Sequence, residues 1–342
     1  MEKLRAGWYT DAYFNHARAT LLADGRHPNV VMQVFQKNHA WLGGMDEAIA
    51  ILRLCADEPD GLTIRALHDG DRIEPWETVL TIEGDYTTFA HLETAYLGTL
   101  ARRTLITTNV VRVLEAANGK RIIFMPARFD HYRVQGGDGY AAYVAGQVTG
   151  REIGVTSDEQ ASWWGGRGIG TVPHSLIAAY DGDTVLAARK FAEWAPPEMS
   201  VTVLVDFEND SVRTALEAAE ALGERLWGIR LDTAETLVDR SLWEELGDFK
   251  PTGVNEHLVR KVRDALDSAG FGHVRIVASG GFTVEKIRAF EERGMAVDAY
   301  GVGSSLIRGA NDFTADVVLT DGRPSAKFGR RFRDNPRLEV AV

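Results

Sequence analysis

The chain has 342 residues, 45% of them hydrophobic and 25% charged, with a formal net charge of −11. That composition supports a sizeable buried core in one large or two medium domains, and the acidic balance excludes a protein that wraps nucleic acid, which needs a basic face. A single cysteine, Cys55, excludes an internal disulfide and any cysteine-rich zinc module, and no stretch approaches the ~20 apolar residues of a membrane span.

MEKLRAGWYTDAYF has no apolar signal core after its charges, so a reduced cytoplasmic compartment is expected, with no membrane partner. RHPNVVMQVF reads as a strand. MDEAIAILRLCADE places Ala48, Ile49, Leu52 and Cys55 at helical spacing, with Cys55 as a small buried hydrophobe. ETVLTIEGDY reads as a strand ending in a Gly-Asp turn. HLETAYLGTLARRTLITTNVVRVLEAANGK predicts a long helical stretch with a break, stopped at Asn118-Gly119.

From Arg121 the rhythm changes. RIIFMPAR, VTVLVDFEND, LWGIRLDT, VRIVASGG and VDAYGVGSS are short apolar runs that end in polar or glycine residues. Helical patterns such as DSVRTALEAAEALG and NEHLVRKVRDALDSAG separate several of them. Strands alternating with 10–15-residue helices predict a parallel sheet covered on both faces. The fold class is α/β: an irregular β/α barrel over 121–310, with an N-terminal α/β sandwich-like domain over 1–120 to which 311–342 returns. A doubly wound open sheet is the alternative. Trp163-Trp164 before Gly165-Gly166 reads as an aromatic loop, either a lid or loop packing.

In parallel β/α architectures the polar strand ends face the substrate. Here they are Arg128, Asp206, Glu208, Arg230, Asp232, Ser279-Gly280-Gly281 and Gly301-Val302-Gly303-Ser304. VASGGFTVEKI and YGVGSSLIRGA each run from strand through glycines to a helix start, a pattern that lets backbone N–H groups approach a phosphate. Arg230 and Asp232, two residues apart on a strand, share a face. With Asp206 they form a mixed-charge centre able to steady a cationic transition state or to hold Mg²⁺ with a polyphosphate, or else a structural ion pair.

Taken in order, YTDAYF, HLETAYLGTLARRT, GTVPHSL, VDFEND, RLDT, SGGF and GVGSSL resemble the motifs of the nicotinate phosphoribosyltransferase family, closest to its shorter, archaeal-type members. The resemblance spans about residues 8–310. It implies a type II phosphoribosyltransferase in the form of a homodimer or higher homo-oligomer. The implied reaction joins nicotinate to 5-phosphoribosyl-1-pyrophosphate, gives nicotinate mononucleotide and pyrophosphate, and is coupled to ATP. Mg²⁺ is the implied metal, at Asp206 and Asp232. By motif, Tyr13 would stack on the pyridine ring, and Arg128 and Arg230 would meet the nicotinate carboxylate or the pyrophosphate. Thr171 and Ser175 would line the substrate site. Ser279, Gly280, Gly281, Gly301, Gly303 and Ser304 would bind the 5-phosphate. Asp206 and Asp232 would be catalytic beside His174, which matches the histidine the family phosphorylates from ATP. Pro173 suits a first helical position, which would put His174 in a first turn whose positive end favours the neutral ring.

Three other readings stay open. A quinolinate phosphoribosyltransferase would carry an Arg-Lys-Thr-x-Pro-Gly signature, and the nearest segment, ARRTLITTN, lacks Lys and Pro-Gly. A relative acting on another base fits the altered RLDTAET. A non-catalytic phosphosugar-binding barrel would need only the glycine cradle.

Overall fold

Valine- and isoleucine-rich runs leave their backbone polar groups no solvent partner once buried, so they pair with one another. The computed structural model describes residues 1–196, 199–247 and 249–341. It divides into two units, one made of Met1–Val111 with Gly309–Val342 and the other of Arg112–Arg308.

In the first unit, six strands form an antiparallel sheet in the order Arg323–Pro324, Thr314–Thr320, Asn29–Phe35, Thr78–Asp85, Thr63–Ala66, Glu339–Val340. Met32 pairs with Val317 on one side and Ile82 on the other, so residues from both ends of the chain share one sheet. The helix Met45–Cys55 buries Met45, Ala48, Leu52 and Cys55, one stripe at helical spacing. Asp69 Oδ1 accepts from Met45 N at 2.6 Å, satisfying a first-turn donor. The core of this unit gathers Val30, Val34, Leu42, Ile64, Leu80 and Tyr96.

Six parallel strands make the sheet of the second unit, in the order Ile153–Val155, Arg121–Phe124, Ala299–Val302, Arg275–Ala278, Leu226–Leu231, Val201–Leu204. Its edges are spanned by one short segment. Ile169 N donates to Val155 O at 2.8 Å, and Val172 N donates to Thr202 O at 2.9 Å while Val172 bridges Val203 in parallel. The sheet therefore curls into an incomplete barrel whose gap holds residues 169–172. Helices Ser211–Leu222, Glu256–Ser268 and Val284–Glu292 each bury an apolar stripe, such as Leu258, Val259, Val262 and Leu266.

Three local expectations are corrected. The helix Glu93–Ala116 runs 24 residues without a break, because Gly98 sits inside it at little cost once the helix packs. The glycines of GVGSS lead into a 3₁₀ turn, Ser304–Leu306, and not an α-helix. The strand Ile153–Val155, at three residues, is too short to carry a periodic signal, so the stretch where no element is expected is in part a strand.

Candidate active site

The candidate site is built at the carboxyl ends of the parallel strands of the second unit. Arg230 pairs in register with Leu204 on one side and Val277 on the other. Asp206, Asp232 and Ser279 therefore follow the ends of three adjacent strands. Parallel strands bring the same end of each run together, which is how residues up to 73 positions apart in sequence meet.

Arg230 and Asp232 share a face, and Arg230 Nη2 lies 3.3 Å from Asp232 Oδ2, with both side chains under a fifth exposed. Desolvating such a pair is costly unless further hydrogen bonds complete it. Ser279 supplies them. Its hydroxyl accepts from Arg230 Nε at 2.7 Å, and lies 2.6 Å from Asp232 Oδ1 and 3.0 Å from Leu231 O.

His174 begins the short helix His174–Ala179, immediately after the segment that spans the barrel gap, with Pro173 extended at the cap position. His174 Nε2 is 2.9 Å from Asp206 Oδ1. The carboxylate is nearly buried (8% exposed) and the imidazole is 44% exposed. The Asp206 hydrogen bond raises the His174 pKa against an opposing effect of burial, with Asp206 and Asp232 adding attraction and Arg230 repulsion. The expectation that the helix end keeps the ring neutral is thus reversed. A six-residue helix has a weak dipole, and an adjacent buried carboxylate outweighs it.

Gly280 and Gly281 hold φ of +81° and +72°, a left-handed conformation that disfavours any side chain. Among the described residues, the N–H groups of Gly280, Gly281, Gly303 and Ser304 have no protein acceptor. Ser305 Oγ donates to Phe282 O at 2.9 Å, tying the two glycine turns together. Two neighbouring turns of unpaired donors make a cradle for an anion.

The other sequence-predicted residues separate into groups. Ser279 is 2% exposed, and its backbone N donates to Leu231 O at 2.9 Å. Both its donors are therefore engaged within the protein. Gly301 lies inside a buried strand, where an added Cβ would meet Met125 Sδ at 2.7 Å and Ser279 Cβ at 3.1 Å. Its smallness serves packing. Arg128 is exposed on the 3₁₀ turn Ala127–Phe129, and the ring of Phe129 from that turn packs over Gly303. Thr171 is half-buried within the gap-spanning segment and Ser175 is exposed on the helix after it. Tyr13 belongs to the first unit, where its ring is exposed and its hydroxyl donates to Asp11 Oδ2 at 3.2 Å. Trp163 and Trp164 pack on Tyr140 and Tyr143, with centroids 5.5 and 5.0 Å apart, so the aromatic loop is held by packing.

Sequence reasoning missed two neighbours of the glycine turn. Lys286 Nζ lies 3.4 Å from Gly280 O and 4.4 Å from the centre of the Phe282 ring, and burial lowers its pKa. Thr233 is fully buried with its hydroxyl unpartnered, and its carbonyl lies 3.3 Å from where a Gly280 Cβ would stand. The Thr after RLD was the one available signal.

Residues 11–104 match the quinolinate phosphoribosyl transferase N-terminal domain. The chain is 29% identical to nicotinate phosphoribosyltransferase pncB1 of Mycobacterium tuberculosis, over 94% of this chain and 74% of that protein. It is 25% identical to the nicotinate phosphoribosyltransferase of Bacillus subtilis, over 71% of this chain and 45% of that protein. The crystal structure of nicotinate-nucleotide pyrophosphorylase from Pyrococcus furiosus superposes with a TM-score of 0.82 at 31% identity, covering 96% of this chain and 79% of that one. Human nicotinic acid phosphoribosyltransferase shares the fold, with a TM-score of 0.68 at 18% identity, over 94% of this chain and 77% of that one. Likeness running along nearly the whole chain, over a curled sheet of parallel strands, places it in the nicotinate phosphoribosyltransferase family, with the type II phosphoribosyltransferase fold.

Proposed function

We propose that the protein transfers the phosphoribosyl group of 5-phosphoribosyl-1-pyrophosphate to nicotinate, giving nicotinate mononucleotide and pyrophosphate. The observation that carries this reading is the juxtaposition of the Arg230–Asp232 pair with the unpaired N–H groups that follow the next two strands. A ribose phosphate anchored at Gly280, Gly281, Gly303 and Ser304 would place its anomeric carbon toward the carboxylates. As the bond to pyrophosphate breaks, positive charge grows on that carbon and the ring oxygen, and Asp232 and Asp206 stabilise it. The pyridine nitrogen attacks with its own lone pair and needs no general base. Rate then depends on holding charged pieces in line, with Arg230 and Arg128 meeting the base carboxylate or the pyrophosphate. Thr171, in the gap-spanning segment, and Ser175, on the helix after it, would meet substrate.

Mg²⁺ characteristically uses one or two carboxylates plus substrate phosphate oxygens. Among the described residues no group of three or more acidic, histidine or cysteine side chains is arranged to hold a metal, whereas Asp206 and Asp232 provide two carboxylates, which fits that habit. Bound there with pyrophosphate, the ion would neutralise charge on the leaving group.

Coupling to ATP is part of the same reading. Asp206 accepts the Nε2 proton of His174, which leaves Nδ1 with its lone pair. Nδ1 would attack the γ-phosphorus of ATP, and the electron pair of the broken P–O bond would leave with ADP. Asp206 offsets the positive charge of the phosphorylated ring. Water later takes the phosphoryl group as inorganic phosphate. We further assign the working form to a homodimer or higher homo-oligomer.

The match to the quinolinate domain covers 11–104, a stretch that does not include Arg128, His174, Arg230 or Asp232. The test incubates purified protein with 5-phosphoribosyl-1-pyrophosphate and Mg²⁺ against nicotinate, nicotinamide and quinolinate, with and without ATP. Nicotinate mononucleotide formed from nicotinate alone supports the reading. Carbon dioxide released from quinolinate would replace it with the decarboxylating reaction, and binding without turnover would make the protein a sensor.

A further inference from the structure

We infer that Ser279 is a positioning residue that sets the orientation of Arg230 toward substrate, an inference that rests on the phosphoribosyl-transfer reading above. Ser279 closes a ring of three side chains. Arg230 Nε donates to its oxygen at 2.7 Å, its own proton goes to Asp232 Oδ1 at 2.6 Å, and Asp232 Oδ2 faces Arg230 Nη2 at 3.3 Å. A hydroxyl has one proton and two lone pairs. With the proton on the carboxylate and a lone pair on the guanidinium, Ser279 is, among the described residues, the one neutral side chain holding both charges. Each contact is charge-assisted, the stronger class of hydrogen bond.

The ring has a directional consequence. A guanidinium carries five N–H groups in a rigid plane. Anchoring Nε on Ser279 and Nη2 on Asp232 fixes that plane and leaves Nη1 as the free edge. Without Ser279, Arg230 keeps, among the described residues, a single polar side-chain contact, to Asp232, and can swing about its long side chain.

The surroundings are shaped to keep Ser279 in place. It is 2% exposed, its backbone N is tied to Leu231 O at 2.9 Å, and on the adjacent strand the absent side chain of Gly301 leaves its Cβ room, since a Cβ there would stand 3.1 Å away. The sequence alone groups Ser279 with the glycines that follow it as a phosphate ligand. The structure instead faces its side chain inward to the charged pair and leaves the phosphate to the backbone of the turn.

The test compares wild type, Ser279→Ala, Arg230→Lys and the double variant, with steady-state kinetics in each substrate and calorimetric binding of nicotinate and of 5-phosphoribosyl-1-pyrophosphate. Ser279→Ala is expected to raise KM and Kd about 10- to 100-fold for the one ligand Arg230 meets, and to change the other by less than twofold. The double variant is expected to fall no further than Arg230→Lys, because Ser279 acts through Arg230. Should Ser279→Ala fail to fold, Ser279→Cys, slightly larger than serine but a much weaker hydrogen-bonding group, is expected to show the same selective rise. A Ser279 variant that only loses kcat with both KM values unchanged overturns the inference, as do additive effects in the double variant. If wild type turns over no base, the function proposed above fails, and the binding measurements still decide the role of Ser279.

Discussion

His174 Nε2 lies 2.9 Å from Asp206 Oδ1, which joins the first residue of a short helix to a carboxylate two positions beyond a strand end. One carboxylate thereby sets which ring nitrogen carries the proton and how easily the ring becomes charged. Both consequences are measurable.

The raised pKa of His174 has a definite sign. The stabilisation from its charged form is fully present below about pH 6.5 and is lost as pH rises through the higher folded-state value. Asp206→Asn is therefore expected to cost more stability at pH 6 than at pH 9. NMR titration of the imidazole should show its midpoint moving down in that variant. An unchanged midpoint would mean that another group supports the charge.

Phosphorylation is expected on Nδ1 of His174, because Nε2 is engaged with Asp206. ATP-treated protein, examined by mass spectrometry and ³¹P NMR, should carry the label there. His174→Ala should lose ATP stimulation and keep some basal transfer. If ATP neither labels the protein nor changes its rate, His174 only positions substrate.

Gly280→Ala forces a side chain into a left-handed backbone at φ +81°, where the added Cβ would also meet Thr233 O at 3.3 Å. The strain costs about 1–2 kcal/mol, and a turn that relaxes from it misaligns its free N–H groups. We expect a lower Tm together with a raised KM for 5-phosphoribosyl-1-pyrophosphate, and a KM for the base that changes little. Equal changes in both would indicate general damage to the barrel.

In the first unit, Glu93 is 8% exposed, and burial, with Asp316 and Asp11 nearby, raises its pKa to about 8. The folded state therefore holds a proton that the unfolded chain releases above about pH 4.5, so stability falls as pH rises from there to about 8. Glu93→Gln, which removes the titration, is expected to stabilise the protein at pH 8 by on the order of 1–3 kcal/mol and to do little at pH 4.5. Denaturant unfolding at both pH values checks this, and equal effects at the two would contradict it.

Several elements were legible from short-range pattern alone. The apolar runs at Arg121, Val201, Leu226, Arg275 and Ala299 all became parallel strands, and the stripe Leu258, Val262, Leu266 became the buried face of a helix. Burial on both faces leaves no polar alternation, so a continuous apolar run bounded by turns is a local signal of a parallel strand. Gly280 and Gly281 were legible for the same reason: the conformation they need belongs to the residue itself.

The sequence by itself determined the α/β class, the order of the strands along the chain, and which polar residues stand where those strands end, because periodicity and backbone preference act over a few residues. Only the tertiary structure decided who bonds with whom. Asp206 meets His174 across 32 positions and Ser279 meets Arg230 across 49, contacts set by strand register and not by spacing. Register brings the Ser279 side chain to the charged pair and Gly301 into the packing beside it. It also reversed the expected charge preference of His174, since the field at a side chain is the sum over everything packed around it, and a buried carboxylate at hydrogen-bond distance outweighs a short helix.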